Sequence, residues 1–159
     1  MIVVSNTSPL LNLALVGQLD LLGRLFEKLF VPDAVASETE AFSTGTGMVL
    51  PLPPWVEKRS VTNRSLLDAL RLELDAGEAE SIALAVELKA DLVLLDERLA
   101  RRIATGLGLK VAGLLGLLVE AKRRGLIVLV KPILDALITK AGFWVGGELY
   151  ARVLVEVGE

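Results

Sequence analysis

Two short apolar runs constrain this chain most. Ile2-Val3-Val4 gives way to Ser5-Asn6-Thr7-Ser8-Pro9, and Leu92-Val93-Leu94-Leu95 stops at Asp96-Glu97-Arg98. Both runs are too short for helices, and a helical pattern follows each. Buried strands alternating with helices build a parallel sheet covered on both faces. The expectation is one domain over residues 1–159, a three-layer α/β/α architecture with a central parallel sheet of about four to five strands. In such sheets ligands gather at the carboxyl ends of the strands, which is where Asn6 and Asp96 fall.

Composition narrows the chemistry. The chain has no His and no Cys, which excludes Ser-His-Asp triads, thiolate nucleophiles, disulfides and Cys/His zinc sites. What remains suits a hard cation on oxygen ligands, Mg²⁺ or Mn²⁺. Apolar residues make up 53%, yet polar residues interrupt every run before the roughly 18–20 residues of a membrane span. Ser5 to Ser8 break the amino-terminal run and no charged segment precedes it, so neither a signal peptide nor a membrane segment is expected, and the cytoplasm is the default. The net charge of −3 gives no global attraction to nucleic acid. Positive charge clusters locally at Lys58-Arg59, at Arg98/Arg101/Arg102 and at Lys122-Arg123-Arg124.

Periodicity and breakers predict a strand over 2–5, then a helix capped by Ser8 with Pro9 in its first turn. A short helix over Leu19–Phe26 and a strand at Leu29–Val31 follow. Pro32 is expected to open a helix carrying Val35, Glu38 and Phe42. Residues 43–54 read as a loop. Next come an edge strand over Trp55–Val61, a helix over Ser65–Leu74 and a buried helix over Glu78–Lys89. A strand at 91–95, a helix at 97–105, a strand near 109–112, and helices over Leu114–Arg124, 132–141 and 147–157 complete the pattern.

Four polar positions stand out: Asn6 after the first strand, Glu38 on the helix after the second, Glu78 at a helix start and Asp96 at a strand end. Carboxylates converging there would raise one another's pKa, and a divalent cation removes that penalty while activating water for phosphodiester hydrolysis. Each also has a plainer role. Glu78 and Glu80 suit first-turn acids, Asp96 an N-cap, Glu38 a solvated helix position and Asn6 a turn. Glu97 and Arg101 have the spacing of a surface ion pair. Glu80 and Glu97 are reserve ligands, because helix starts are uncertain by a residue or two.

The order of these motifs resembles the PIN-domain ribonucleases. The resemblance runs from Val3–Leu11 through Val31-Pro32-Asp33-Ala34-Val35-Ala36-Ser37-Glu38 and Asp75-Ala76-Gly77-Glu78-Ala79-Glu80 to Asp91–Arg98, and on to Gly113–Leu118 and Gly142-Phe143. It is closest to the toxin-like subgroup with a Gly-Glu-Ala-Glu helix. The resemblance implies catalytic and metal-ligating roles for Asn6, Glu38, Glu78 and Asp96 with Mg²⁺ or Mn²⁺. It implies single-stranded RNA as substrate and an antitoxin protein as partner. Thr7 and Ser8 stand where the family has hydroxyls near metal waters or phosphate, and Arg98, Arg101 and Arg102 would line the RNA approach. Two departures are visible. Asn6 stands where a typical member has Asp, and the late acid of some relatives would fall near Gly113.

Two functions follow: a metal-dependent endoribonuclease, or a degenerate PIN-like binding or regulatory protein without hydrolysis. A receiver-like phospho-acceptor at Asp96 is a third, opposed by Ser5-Asn6 in place of an acidic pair. Phe26, Phe30, Trp55, Phe143, Trp144 and Tyr150 supply large side chains. Together with the family's habit of pairing, they lead us to expect a homodimer through Pro9–Phe26 and the helix after Pro32.

Overall fold

A computed structural model describes residues 1–46 and 52–159, with side chains described through Phe42 and again from Leu52. Strands β1 (Val3–Ser5), β2 (Leu29–Pro32), β3 (Val56–Arg59), β4 (Leu92–Leu94) and β5 (Val111–Ala112) form a sheet ordered β3-β2-β1-β4-β5. Every pairing is parallel. The chain steps from β1 to β2 and β3 on one side, then crosses to β4 and β5 on the other. That reversal puts a topological switch point between β1 and β4, the place where open α/β sheets leave a crevice.

Nine helices appear among the described residues: α1 (Thr7–Leu15), α2 (Asp20–Phe26), α3 (Asp33–Thr46), α4 (Arg64–Leu70), α5 (Ala76–Leu88), α6 (Arg98–Gly106), α7 (Leu114–Arg123), α8 (Lys131–Lys140) and α9 (Gly147–Glu156). Successive strand residues face opposite layers. Val3, Leu29, Val31 and Leu94 pack with α1, α2, α7 and α8 through Leu10, Leu22, Leu118 and Leu134. Val4, Phe30, Val93 and Leu95 pack on the other face with α4, α5 and α6, through Leu67, Ile82 and Ala100. The architecture is therefore three-layer α/β/α. Small residues let α5 lie close to the sheet: Ala79, Ala83 and Ala85 are fully buried.

Several boundaries differ from the sequence reading for local reasons. Asn6, not Ser8, occupies the cap position of α1, with extended backbone (φ −76°, ψ 175°) and no side-chain cap bond. Pro32 closes β2 instead of opening a helix, and its neighbour Asp33 begins α3. The helix at Glu78 starts two residues earlier, because Asp75 and Glu78 form a reciprocal capping box. Asn63 caps α4 by accepting from the Leu66 N–H at 3.1 Å, which moves its start forward. The loop expected over 43–54 overlaps the end of α3, and its stretch 47–51 lies outside the described residues. No helix among the described residues is long and apolar enough to cross a membrane.

Five of the six large aromatics singled out in the sequence pack within this chain: Phe30 is buried, and Phe26, Trp55, Phe143 and Tyr150 are partly buried against the core. The Trp55 ring lies so close to α2 that a Cβ on Gly23 would stand 2.7 Å from its Cε2. Phe30 is buried with Lys28 and Arg59 over its ring at 5.1 and 5.3 Å. Tyr150 donates to Asp135 at 2.6 Å. On α1, α2 and the described part of α3, no large apolar side chain is among the exposed ones. Their Leu and Val residues fill this chain's own core.

Candidate functional site

The sheet brings the four selected residues to one edge. Asn6 leaves β1 beside β4, and its N–H donates to the Leu94 carbonyl at 3.1 Å. Asp96 lies two residues beyond β4. Glu38 reaches the same edge from the second turn of α3, and the Thr7 hydroxyl donates to its Oε2 in a short hydrogen bond. The amino-terminal turn of α5 closes the group. A Cβ at Gly77 would stand 2.8 and 2.9 Å from the two Glu38 carboxylate oxygens and 3.0 Å from Asn6 Oδ1. Gly77 is thus the floor on which Glu38 and Asn6 meet.

The acids form two subsets. Glu78 is half-buried beside Asp75, Glu97 and Glu38, and burial first, then these like charges, raises its pKa above the ordinary 4.5. Asp96 forms the second subset. Burial pushes its carboxyl above the ordinary 3.8, while the Leu114 N–H and the Arg101 guanidinium pull it back and Glu97 adds to the rise. Glu97 is the acid felt by both. Asp96 Oδ1 accepts from Leu114 N–H at 3.0 Å, so it caps the approach to α7, not α6. The cap residue of α6 is Glu97, without a side-chain bond.

Two oxygens at this edge, Asn6 Oδ1 and Asp96 Oδ2, are buried and have no hydrogen-bond partner. Burying an acceptor unpaired costs about 1–3 kcal/mol, and a cation would recover that cost. An amide oxygen and carboxylates match a hard divalent ion in donor chemistry. Among the described residues, however, no three acids are grouped closely enough to hold a metal ion by themselves. A ligand set here needs Asn6 or a rearranged Glu97 to join the two subsets.

The remaining selected residues divide. Thr7 is buried on Glu38, and Ser8 is half-buried in the first turn of α1. Glu80, held in reserve, accepts from Ala34 N–H at 3.1 Å and so serves the start of α3. Arg101 turns inward instead of pairing with Glu97: its Nη1 donates to the Leu95 carbonyl at 3.2 Å. The same guanidinium lies over Gly113, where a Cβ would collide with it and stand 2.8 Å from Asp96 Oδ1. The place of the late acid is thus filled by a cation. Arg98 and Arg102 are exposed and have no ion pair among the described residues. By contrast Arg123 and Arg124 pair with Glu120, Lys122 with Glu159, and Arg59 with Glu57. Sequence reasoning gave Gly77 no role of its own, although glycine within Gly-Glu-Ala-Glu was the available signal; at Gly113 it marked the missing acid but not the Arg101 guanidinium that fills the place.

The fold and the site define a three-layer α/β domain with acids gathered at the switch point of a parallel sheet. The family model DUF3368, described as a PIN domain, matches residues 2–159. The chain belongs to the PIN-domain family, which is of nuclease type. No curated protein and no solved structure matches it significantly.

The raised pKa values give a pH prediction. An acid whose folded pKa exceeds its unfolded one binds more protons when folded. Stability then falls as pH rises from the ordinary value through the raised one, and stays lower above it. In cation-free buffer Asp96→Asn keeps an acceptor for Leu114 and removes the buried charge. Its Tm at neutral pH is expected to exceed that of the wild type, by about 2–4 °C for each kcal/mol recovered in a chain of this size. The gap should close as the pH drops below the raised Asp96 pKa. Melting curves from acid to neutral pH in chelator check this, and a lower Tm for the variant throughout contradicts it.

Proposed function

We propose that the protein is a metal-dependent endoribonuclease acting on single-stranded RNA. The observation that carries this reading is the pair of buried, unpartnered oxygens, Asn6 Oδ1 and Asp96 Oδ2, at the switch point. Asn6, Glu38, Glu78 and Asp96 are the residues that would hold Mg²⁺ or Mn²⁺. When bound, such an ion lowers the pKa of a coordinated water and offsets charge on a phosphoryl oxygen. The Thr7 hydroxyl fixes the Glu38 carboxylate, Arg101 partly compensates Asp96, and Arg98 and Arg102 offer positive charge to an incoming phosphate.

The test is cleavage of a fluorescent single-stranded RNA by the purified chain. Cleavage is expected with Mn²⁺ and Mg²⁺, is expected to stop in chelator, and double-stranded RNA is expected to survive. An intact fold with no cleavage under any cation condition favours the second reading, a PIN-like binding or regulatory protein. Asn6 in place of Asp and Arg101 over Gly113 are the features that favour it.

The finer roles rest on the resemblance. As the toxin of a cytoplasmic toxin–antitoxin pair, the protein would arrest growth when induced alone and be relieved by its antitoxin. A homodimer is a separate proposal. The early helices give it little support, since their apolar side chains are internal. Light scattering above 17.0 kDa in dilute solution is the result that would sustain it.

A further inference from the structure

An open groove of about 640 Å³ runs along the molecule from Asp96. Arg98 and Arg101 line it on the α6 side, and Phe143, Trp144 and Leu149 line it on the side of α9 and the segment before it. Trp144 is 84% exposed, the most exposed aromatic ring in the described chain whose solvation calls for a reason. Most large aromatics here are packed; this one stands in water beside arginine. Arg98 is equally out of place. It occupies the first turn of α6, where the helix dipole disfavours a cation, and it forms no ion pair among the described residues.

We propose that this groove is the track of a single-stranded RNA as it leaves the carboxylate edge, with one base stacked on Trp144 and the adjoining phosphate on Arg98. The inference rests on the nuclease reading and extends it to residues outside the acidic set. Stacking platforms beside positive charge are how proteins hold single strands without reading sequence. An exposed indole and an unpaired guanidinium on one groove provide both parts. The occupant is anionic, because the groove's ionic side chains other than Asp96 are arginines. It is unpaired, because a duplex offers no free base face to the indole.

The test is direct binding in chelator, so that cleavage plays no part. The probes are a fluorescent single-stranded RNA decamer of mixed sequence and a decamer of the same length without bases. Trp144→Ala is expected to weaken binding of the first about 5- to 150-fold, the range of base–aromatic stacking, and Trp144→Phe to weaken it less than about threefold. Both variants are expected to bind the baseless strand as the wild type does, which a merely structural role would not produce. Arg98→Ala is expected to flatten the dependence of log K on log salt by about 0.7, one phosphate's share for a single strand. Trp144 is exposed, so its truncation leaves the core intact, and circular dichroism verifies this.

Equal affinity of wild type and Trp144→Ala for the mixed decamer overturns the proposal. So does a Trp144→Ala variant that loses self-association in light scattering while its RNA affinity is unmoved; the groove is then a contact between copies. Failure of the nuclease reading shows differently, as intact Trp144-dependent binding with no cleavage in Mn²⁺.

Discussion

Gly77→Ala is expected to lose divalent-cation affinity by about 10- to 100-fold, the cost of displacing a supporting group at a metal site, while the fold stays intact. The backbone at Gly77 is ordinary right-handed helix, so an L side chain is not strained there. Alanine is favoured over glycine in helices by up to about 1 kcal/mol, which partly offsets the lost Thr7–Glu38 bond, so the melting temperature is expected to stay the same or fall slightly. The damage falls on what the methyl meets, namely both Glu38 carboxylate oxygens and Asn6 Oδ1, all within 3.0 Å of it. These are side-chain ends and can move, but moving them breaks the Thr7–Glu38 bond and separates the two donors. Calorimetry with Mn²⁺ beside a thermal melt reads both quantities. Unchanged affinity in a folded variant would mean that Glu38 and Asn6 do not hold a cation together.

The charge variants at the switch point are expected to move in opposite directions. Asn6→Asp adds a full negative charge at an atom that already points, unpartnered, into the site. It is expected to tighten Mn²⁺ binding by about tenfold, a modest share of one charge–charge interaction at a few ångströms in a partly solvated site. Asp96→Asn removes the charge while keeping the Leu114 bond, and is expected to weaken cation binding and RNA cleavage by at least roughly 10- to 100-fold. A double variant separates a shared ion from two independent sites: additive effects on log Kd would indicate independence, and strong non-additivity a common ligand. If neither single variant changes the affinity, neither side chain is a ligand.

Much of the fold was legible because its signal is local. Runs such as Val3-Val4 and Val93-Leu94 are apolar on both faces, as strands buried between two helical layers must be. The breakers at Gly125 and Asp75 marked real ends, the first at positive φ and the second as a capping box. What escaped was relational. Nothing in the spacing of Glu97 and Arg101 says that the guanidinium instead reaches the Leu95 carbonyl, six residues back. Pro32 looked like a helix start because proline suits a first helical turn; it is instead the last residue of β2, opposite Arg59. Which aromatics are packed was not legible, because sequence gives size but not exposure. Trp55 and Trp144 are the same residue type, one seated on Gly23 and the other 84% exposed. The four candidate residues were selected by their place at strand ends and helix starts, yet their division into two subsets depends on side-chain direction.

The order of the strands also bears on how the protein comes into being. Between β1 and β4 the main chain is held at Ile2, whose N–H donates to Asp91 across a separation of 89 residues. Contacts so distant in sequence make for slow, non-local folding. A nascent chain that has emerged only as far as α5 has Asn6, Glu38 and Glu78 but no strand beside β1 on that side, and no Asp96. The edge that gathers these four residues therefore cannot be assembled piecemeal during synthesis. It is completed when β4 inserts next to β1, so whatever chemistry that edge supports is absent from a ribosome-bound fragment until most of the chain has been made.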